Sequence, residues 1–212
     1  MIDSHKLKKE NFKSFNFSRE ILDDFDKFAS LVVEKNKTIN LISSSTVKTI
    51  NSRHILDSAQ IIDLIDKNDI KNCTDIGSGA GFPGAVLGLI MKRKKPLFKM
   101  VLYEKSYHKS NFLQNINKDL KINLEVRHKN IFDEKNLKTD VIISRAFKPL
   151  PIIFKIAFNN FIKFKYIIIY LGKSGRKVLE EALENWKFDY EQFQSQTSPN
   201  SMILKISNLK KK

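Results

Sequence analysis

Residues 73–84, "CTDIGSGAGFPG", hold four of the chain's seven glycines. They sit between a short apolar segment and a second one, "AVLGLIM". Glycines grouped this way adopt positive φ without penalty and let backbone approach a ligand closely. The run therefore predicts a strand, a tight loop and a helix, and the rest of the chain must be compatible with that unit. Downstream, "FKMVLYE", "INLEVRH", "DVIISRA" and "KYIIIYL" read as strands. Between them, "SYHKSNFLQNINKDLK" and segments near Pro151–Phe161 and Arg176–Trp186 read as helices. Phe112, Leu113, Ile116 and Leu120 fall on one side of the first of these helices. Strands alternating with helices imply an α/β fold, parallel pairing and right-handed crossovers.

The ends of the chain read differently. Ser18 is placed to cap a helix whose apolar positions are Ile21, Leu22, Phe25, Phe28, Ala29, Val32 and Val33, with Glu20 in its first turn. A second helix is predicted over Arg53–Asp66, where His54, Asp57 and Ser58 share a face. At the other end, "FDYEQFQSQ" and "SMILKIS" flank the turn signal "TSPN" and predict an antiparallel hairpin closing the sheet. The terminal "NLKKK" reads as a frayed, solvated tail. The expected organisation is an N-terminal helical extension, residues 1–70, packed on a core of residues 71–212.

Composition narrows the setting. Lysine and arginine total 38 against 23 aspartates and glutamates, a formal charge of +15. Such an excess points to a polyanionic partner. The alternative is a general drift of composition toward Lys, Asn and Ile. One cysteine, Cys73, allows no internal disulfide and fits a reducing compartment. The first twenty residues lack the apolar centre of a signal peptide, and runs such as "YIIIYL" are far shorter than the roughly 20 residues of a membrane span. A cytoplasmic protein with no membrane association, working as a monomer, is the expectation.

Two templates compete for the glycine loop. Gly79, Gly81 and Gly84 satisfy G-x-G-x-x-G, the dinucleotide fingerprint, with Glu104 twenty residues past the last glycine. Gly77, Gly79 and Gly81, preceded by Asp75, satisfy D-x-G-x-G-x-G, the first motif of S-adenosylmethionine-dependent methyltransferases. Asp75 favours the second. A carboxylate in a buried parallel strand is costly without a partner, and a pyrophosphate loop has no use for its charge. In a methyltransferase it would order the loop and face the cationic methionine end of the cofactor.

Beyond the loop, the strings "NLISS", "RHILDS", "DIGSGAGFPG", "LYEKSYHKSNFL", "VIISRAF" and "YLGKSG" occur in an order that resembles the RsmG family, also called glucose-inhibited division protein B. "RHILDS" and "SRAF" are the specific strings, and the resemblance runs from about Phe28 onward. It implies a Rossmann-like class I S-adenosylmethionine-dependent methyltransferase, with a seven-stranded, mostly parallel sheet and N-terminal helices. The implied reaction moves a methyl group from S-adenosyl-L-methionine to N7 of a guanine in the decoding region of 16S rRNA, free or in the small ribosomal subunit. Carried over by position, the resemblance implies cofactor contacts at Asp75, Gly77, Gly79, Phe82 and Arg145. It implies ribose binding by Glu104, where the family more often has Asp, and an adenine clamp at Lys129 and Asn130. Arg53, His54, Phe147 and Lys173 are candidates for the RNA side.

The implied chemistry needs few special groups. Guanine N7 carries a free in-plane lone pair, so no proton leaves before transfer and no general base is required. His54, Asp57 and Ser58 on one helix face do not converge as a nucleophilic triad does. They serve either as a hydrogen-bonded helix face or, with Arg53, in phosphate recognition. His5, His108 and His128 read as surface residues, and no Cys/His cluster has metal spacing. For Arg145 three partners remain open: the cofactor carboxylate, an RNA phosphate, or a structural salt bridge to Asp75 or Glu104. An NAD-dependent oxidoreductase and a non-catalytic RNA-binding module are the alternative functions.

Overall fold

The structure, a computed structural model, describes residues 15–212. The surface expectation for His5 lies outside the described residues. The helices are α1 (Arg19–Lys35), α2 (Asp57–Ala59), α3 (Ile62–Ile65), α4 (Gly84–Lys94), α5 (Tyr107–Asp119), α6 (Leu150–Asn160) and α7 (Gly175–Asn185). The strands are β1 (Asn72–Ile76), β2 (Lys99–Tyr103), β3 (Leu124–Arg127), β4 (Leu137–Lys138), β5 (Val141–Arg145), β6 (Phe161–Lys163), β7 (Tyr166–Leu171), β8 (Trp186–Gln194) and β9 (Met202–Lys211). Seven strands form one sheet in the order β3-β2-β1-β5-β7-β9-β8. Pairing is parallel from β3 to β7, and β9 is antiparallel to both β7 and β8. The alternation and the closing hairpin are as the sequence predicts.

Side chains alternate across the sheet, as strand geometry requires. Val141, Ile143 and Ile168 enter the apolar layer shared with α1, α4 and α5. Ile142, Ile167 and Ile169 enter the layer beneath α6 and α7. Helix α4 is buried from Gly84 through Met91 because it is covered by the sheet and by α1. The apolar face of α1, with Phe25, Phe28 and Val32, supplies the cover. On the same face Asp24 is buried, and its Oδ2 meets Lys92 Nζ at 2.8 Å and Arg93 Nη2 at 3.1 Å. Two cations on α4 thus neutralise the one carboxylate that docking of α1 removes from water.

The structure departs from the sequence reading in three places. The helix predicted over Arg53–Asp66 is broken. A 3₁₀ turn at Ser44–Thr49 leads into a π-helical turn at Asn51–Leu56, then α2, a turn at Gln60–Ile61 and α3. Side-chain donors take carbonyls that a regular helix would use itself. Arg145 Nη1 bonds the Arg53 carbonyl at 3.4 Å, Ser58 Oγ bonds that of His54 at 2.6 Å, and Tyr170 Oη bonds that of Ser58 at 3.3 Å. Next, Leu137–Lys138 and Phe161–Lys163 make a separate two-stranded parallel sheet, too short to show any alternation. Finally, "NLKKK" is not a frayed tail. Lys210 and Lys211 pair with Lys187 and Trp186, and the Lys212 N–H donates to the Asn185 carbonyl at 3.2 Å. The hairpin extends because Trp186 is buried where α7 ends, and Leu209 packs into the same apolar layer.

Removal of residues 208–212 is expected to destabilise the protein by about 2–3 kcal/mol, through lost ladder bonds and lost cover of the Trp186 layer. Equilibrium unfolding in urea measures this. An unchanged midpoint would mean that the last strand pairs contribute nothing.

Candidate active site

The carboxyl ends of β1, β2, β3 and β5 border a pocket of about 550 Å³. That is the size of a small-molecule site, and it lies where open parallel sheets bind ligands. Its floor is the loop from β1 to α4. Gly77, Gly79 and Gly81 have φ of 77°, 57° and 94°, the left-handed region that side chains disfavour. A Cβ on Gly77 would fall inside the ring of Phe147, whereas one on Gly79 would meet no protein atom closer than 4.0 Å. Phe147 therefore lies on the bare backbone at Gly77, and Gly79 faces open pocket.

Two carboxylates fix this loop. Glu104, buried just beyond β2, accepts the Gly79 N–H at Oε2 (2.9 Å) and the Ser106 N–H at Oε1 (2.7 Å). Asp75 is 1% exposed and lies behind the pocket wall. Its Oδ2 accepts the Gly84 N–H at 3.0 Å, and its Oδ1 has no hydrogen-bond partner. Burial pushes the Asp75 carboxyl up to about 7, against the opposing pull of the Gly84 N–H. The residue orders the loop, as the sequence reading expects. It does not line the pocket.

Arg145, at the end of β5, joins the N-terminal segment to the site. Its Nη1 meets Asp57 Oδ2 at 2.7 Å, and its Nη2 donates to His54 Nδ1 at 2.8 Å. Its salt-bridge partner is Asp57, not Asp75 or Glu104. With the bond to the Arg53 carbonyl, three of the five guanidinium donors are engaged and two remain. The fork lies 5.4 Å from the Phe82 ring centroid. Asp57 Oδ1 in turn accepts Thr197 Oγ1 at 2.6 Å and Gln60 Nε2 at 2.7 Å. Because arginine only donates, His54 Nδ1 must accept. The imidazole is neutral, and Nε2–H faces Thr46 Oγ1 at 2.9 Å. Both ring nitrogens are thus occupied. Burial lowers the His54 pKa to about 4, Arg145 adds to the effect and Asp57 opposes it.

Of the residues singled out in the sequence, Gly77, Gly79, Phe82, Glu104, Lys129, Asn130, Arg145, His54 and Phe147 line this pocket. Arg53 and Lys173 are exposed and do not. Lys129 pairs with Glu134 at 2.9 Å. Asn130 caps the 3₁₀ turn Ile131–Asp133. His108 and His128 are exposed, as expected. The sequence reading missed Leu41, Ile42 and Ser43, which reach the pocket because Asn36 Oδ1 accepts the N–H groups of Leu41 and Ile42 at 2.8 and 3.0 Å. It also missed Phe132, whose ring lies 6.4 Å from that of Phe147, and the partnership of Asp57 with Thr197. Among the described residues, no group of three or more His, Cys, Asp or Glu is arranged to hold a metal ion. No helix among the described residues is long and apolar enough to cross a membrane.

The buried, neutral His54 predicts a pH effect on stability. An unfolded histidine takes up its proton near 6.5, and this one only near 4. Its contribution is therefore complete above about 6.5 and is lost as the pH falls toward 4. Asp75 acts in the opposite sense between about 4 and 7 and is common to wild type and variant. His54→Gln is expected to lose about 3 kcal/mol less than wild type between pH 6.5 and 4, measured by denaturant titration. Equal losses would mean that the ring is not held neutral.

A family model described as rRNA small subunit methyltransferase G matches residues 21–204, starting upstream of the Phe28 boundary read from the sequence. The protein named ribosomal RNA small subunit methyltransferase G from Pelagibacter ubique (strain HTCC1062) is 49% identical over 202 residues, 94% of each chain. The protein of the same name from Rickettsia felis is 36% identical over 193 residues, covering 91% of this chain and 96% of that one. Among solved structures, an O-methyltransferase from Bacillus cereus in complex with SAH superposes with a TM-score of 0.59 at 14% identity, over 98% of this chain and 100% of that one. A SAM-dependent methyltransferase from Aquifex aeolicus gives 0.57 at 14% identity, over 82% and 97%. The fold is the Rossmann-like fold of S-adenosylmethionine-dependent methyltransferases, and the chain belongs to the rRNA small subunit methyltransferase G family.

Proposed function

We propose that the chain transfers a methyl group from S-adenosyl-L-methionine to N7 of a guanine in the decoding region of 16S rRNA. It would act in the cytoplasm as a monomer, without a membrane, on the rRNA or on the small ribosomal subunit. The observation that carries the reading is the pocket floor, a bare glycine backbone clamped by Glu104 and walled by Phe147 and Phe82. The residues present fit the cofactor. Glu104 lines the pocket and uses one acceptor site on each oxygen for backbone amides, which leaves further lone pairs for ribose hydroxyls. Arg145 has two free donors for an amino-acid carboxylate. Lys129 and Asn130 line the side on which an adenine would lie. The bound cofactor would supply an electrophilic methyl group on a sulfonium.

The protein's share of the reaction is positioning. No proton has to be removed from N7, and His54 has no free nitrogen with which to remove one. Phe147 and Phe82 exclude water from the reacting atoms and offer no competing nucleophile. Correct alignment of nucleophile and methyl group accounts for as much as about 7–11 kcal/mol of barrier lowering in well-oriented reactions.

Calorimetry is expected to show binding of S-adenosylmethionine and none of NAD. In Glu104→Ala the cofactor affinity falls at least about tenfold, because each hydrogen bond to a charged group contributes roughly 1.5–3 kcal/mol. Purified protein is expected to form 7-methylguanine in 16S rRNA from a strain lacking the gene, and rRNA from that strain lacks the modification. Normal 7-methylguanine in the deletion strain would overturn the reading.

A further inference from the structure

We infer that Tyr107, outside the pocket, is a stacking platform for an unpaired RNA base next to the target nucleotide. The inference rests on the rRNA reading above and adds a site to it. Tyr107 opens α5, three residues beyond Glu104, and its side chain is 65% exposed. Its neighbours Lys105 and Lys109 both line the pocket, so Tyr107 stands next to the pocket in the chain without lining it. The ring of His128 lies 5.7 Å away at 63°, and that of His108 lies 5.6 Å away at 71°. Neither is stacked parallel on Tyr107. They prop the phenol edge-on, and the His128 ring is itself fixed by Nε2 against the Lys105 carbonyl at 3.2 Å.

A large exposed aromatic held this way is poorly explained by packing. Burying it in the protein would stabilise the fold, and leaving it in water does not. Its surroundings name the partner. Lys105, Lys109 and Lys148 line the neighbouring pocket, and none has an ion-pair partner among the described residues. Glu104 is engaged by backbone amides and Glu134 by Lys129, so neither cancels those charges. Unpaired ammonium groups beside an unstacked aromatic ring match a single-stranded polyanion with flat bases. Sequence-specific RNA recognition targets unstacked bases of this kind, and aromatic rings hold them. A target guanine entering the pocket leaves its stack, and a base next to it in the strand needs a new surface. Tyr107, next to the pocket-lining Lys105 and Lys109, provides that surface.

The test compares wild type, Tyr107→Ala, Tyr107→Phe and Lys105→Ala. Affinity for a 16S rRNA transcript is measured by fluorescence anisotropy across salt concentrations, and affinity for S-adenosylmethionine by calorimetry. Tyr107→Ala is expected to weaken RNA binding about 10-fold or more, in the range found for loss of one stacked base. It leaves cofactor affinity and the salt slope unchanged. Tyr107→Phe keeps wild-type RNA affinity because the ring, not the hydroxyl, does the stacking. Lys105→Ala makes the salt slope shallower by about 0.7. Unchanged RNA affinity in Tyr107→Ala overturns the platform while wild-type methyl transfer still supports the rRNA reading. Equal loss of RNA and cofactor affinity also overturns it and moves Tyr107 into the cofactor site. Wild-type protein that neither binds nor methylates 16S rRNA overturns both readings.

Discussion

The grip of two buried carboxylates on three backbone amides holds the site in shape. Asp75 takes the N–H of Gly84, and Glu104 takes those of Gly79 and Ser106. Between these anchors the chain turns from β1 into α4 through three left-handed glycines. The grip is tight enough to exclude side chains. A Cβ at Gly84 would come within 2.6 Å of Asp75 Oδ2. It is also costly. A carboxyl with one unpartnered oxygen, 1% exposed, resists ionisation, and this is why its pKa rises to about 7. The cost is borne beneath a ligand pocket, where buried polar strain concentrates in proteins.

The second constraint runs through Arg145. One planar fork touches Asp57 and His54 at once, which the point charge of a lysine does not do. Asp57 is shared with Thr197 in the β8–β9 turn, and His54 with Thr46. Three distant parts of the chain therefore meet at the end of β5. The N-terminal segment is no passive cover. Its helix is broken where Ser58, Tyr170 and Arg145 take its carbonyls, and the same segment presents His54 to the pocket.

The contrast between these two constraints explains what was readable in the sequence. The glycine loop, the alternating strands and helices, and the closing hairpin rest on local pattern, and local pattern survives in a linear string. Glu104 and Phe147 were legible because they lie close in sequence to strand ends that the pattern locates. The Arg145–Asp57 pair spans 88 residues and the Thr197–Asp57 bond spans 140. No spacing rule reaches that far, so the salt bridge was sought among the strand-end carboxylates Asp75 and Glu104. Asp24 was not singled out in the sequence, because only docking on α4 gives it Lys92 and Arg93. The terminal lysines read as a tail because charge was weighed, and the strand partner that orders them was invisible.

Charge in the site is sorted by depth. Two carboxylates, Asp75 and Glu104, lie under and beside the pocket floor, and three lysines without an ion-pair partner among the described residues, Lys105, Lys109 and Lys148, line the pocket. The two layers act over different ranges. Rim charges in 0.15 M salt are screened beyond about 8 Å, so they attract phosphates at the surface and have little influence on the floor. Buried carboxylates act in a lower dielectric, where a nearby positive charge is felt strongly. A cationic small molecule and a polyanion can then occupy one cavity without competing for the same groups. Such an arrangement suits the proposed reaction, in which positive charge would pass from the cofactor to a base held by its phosphates.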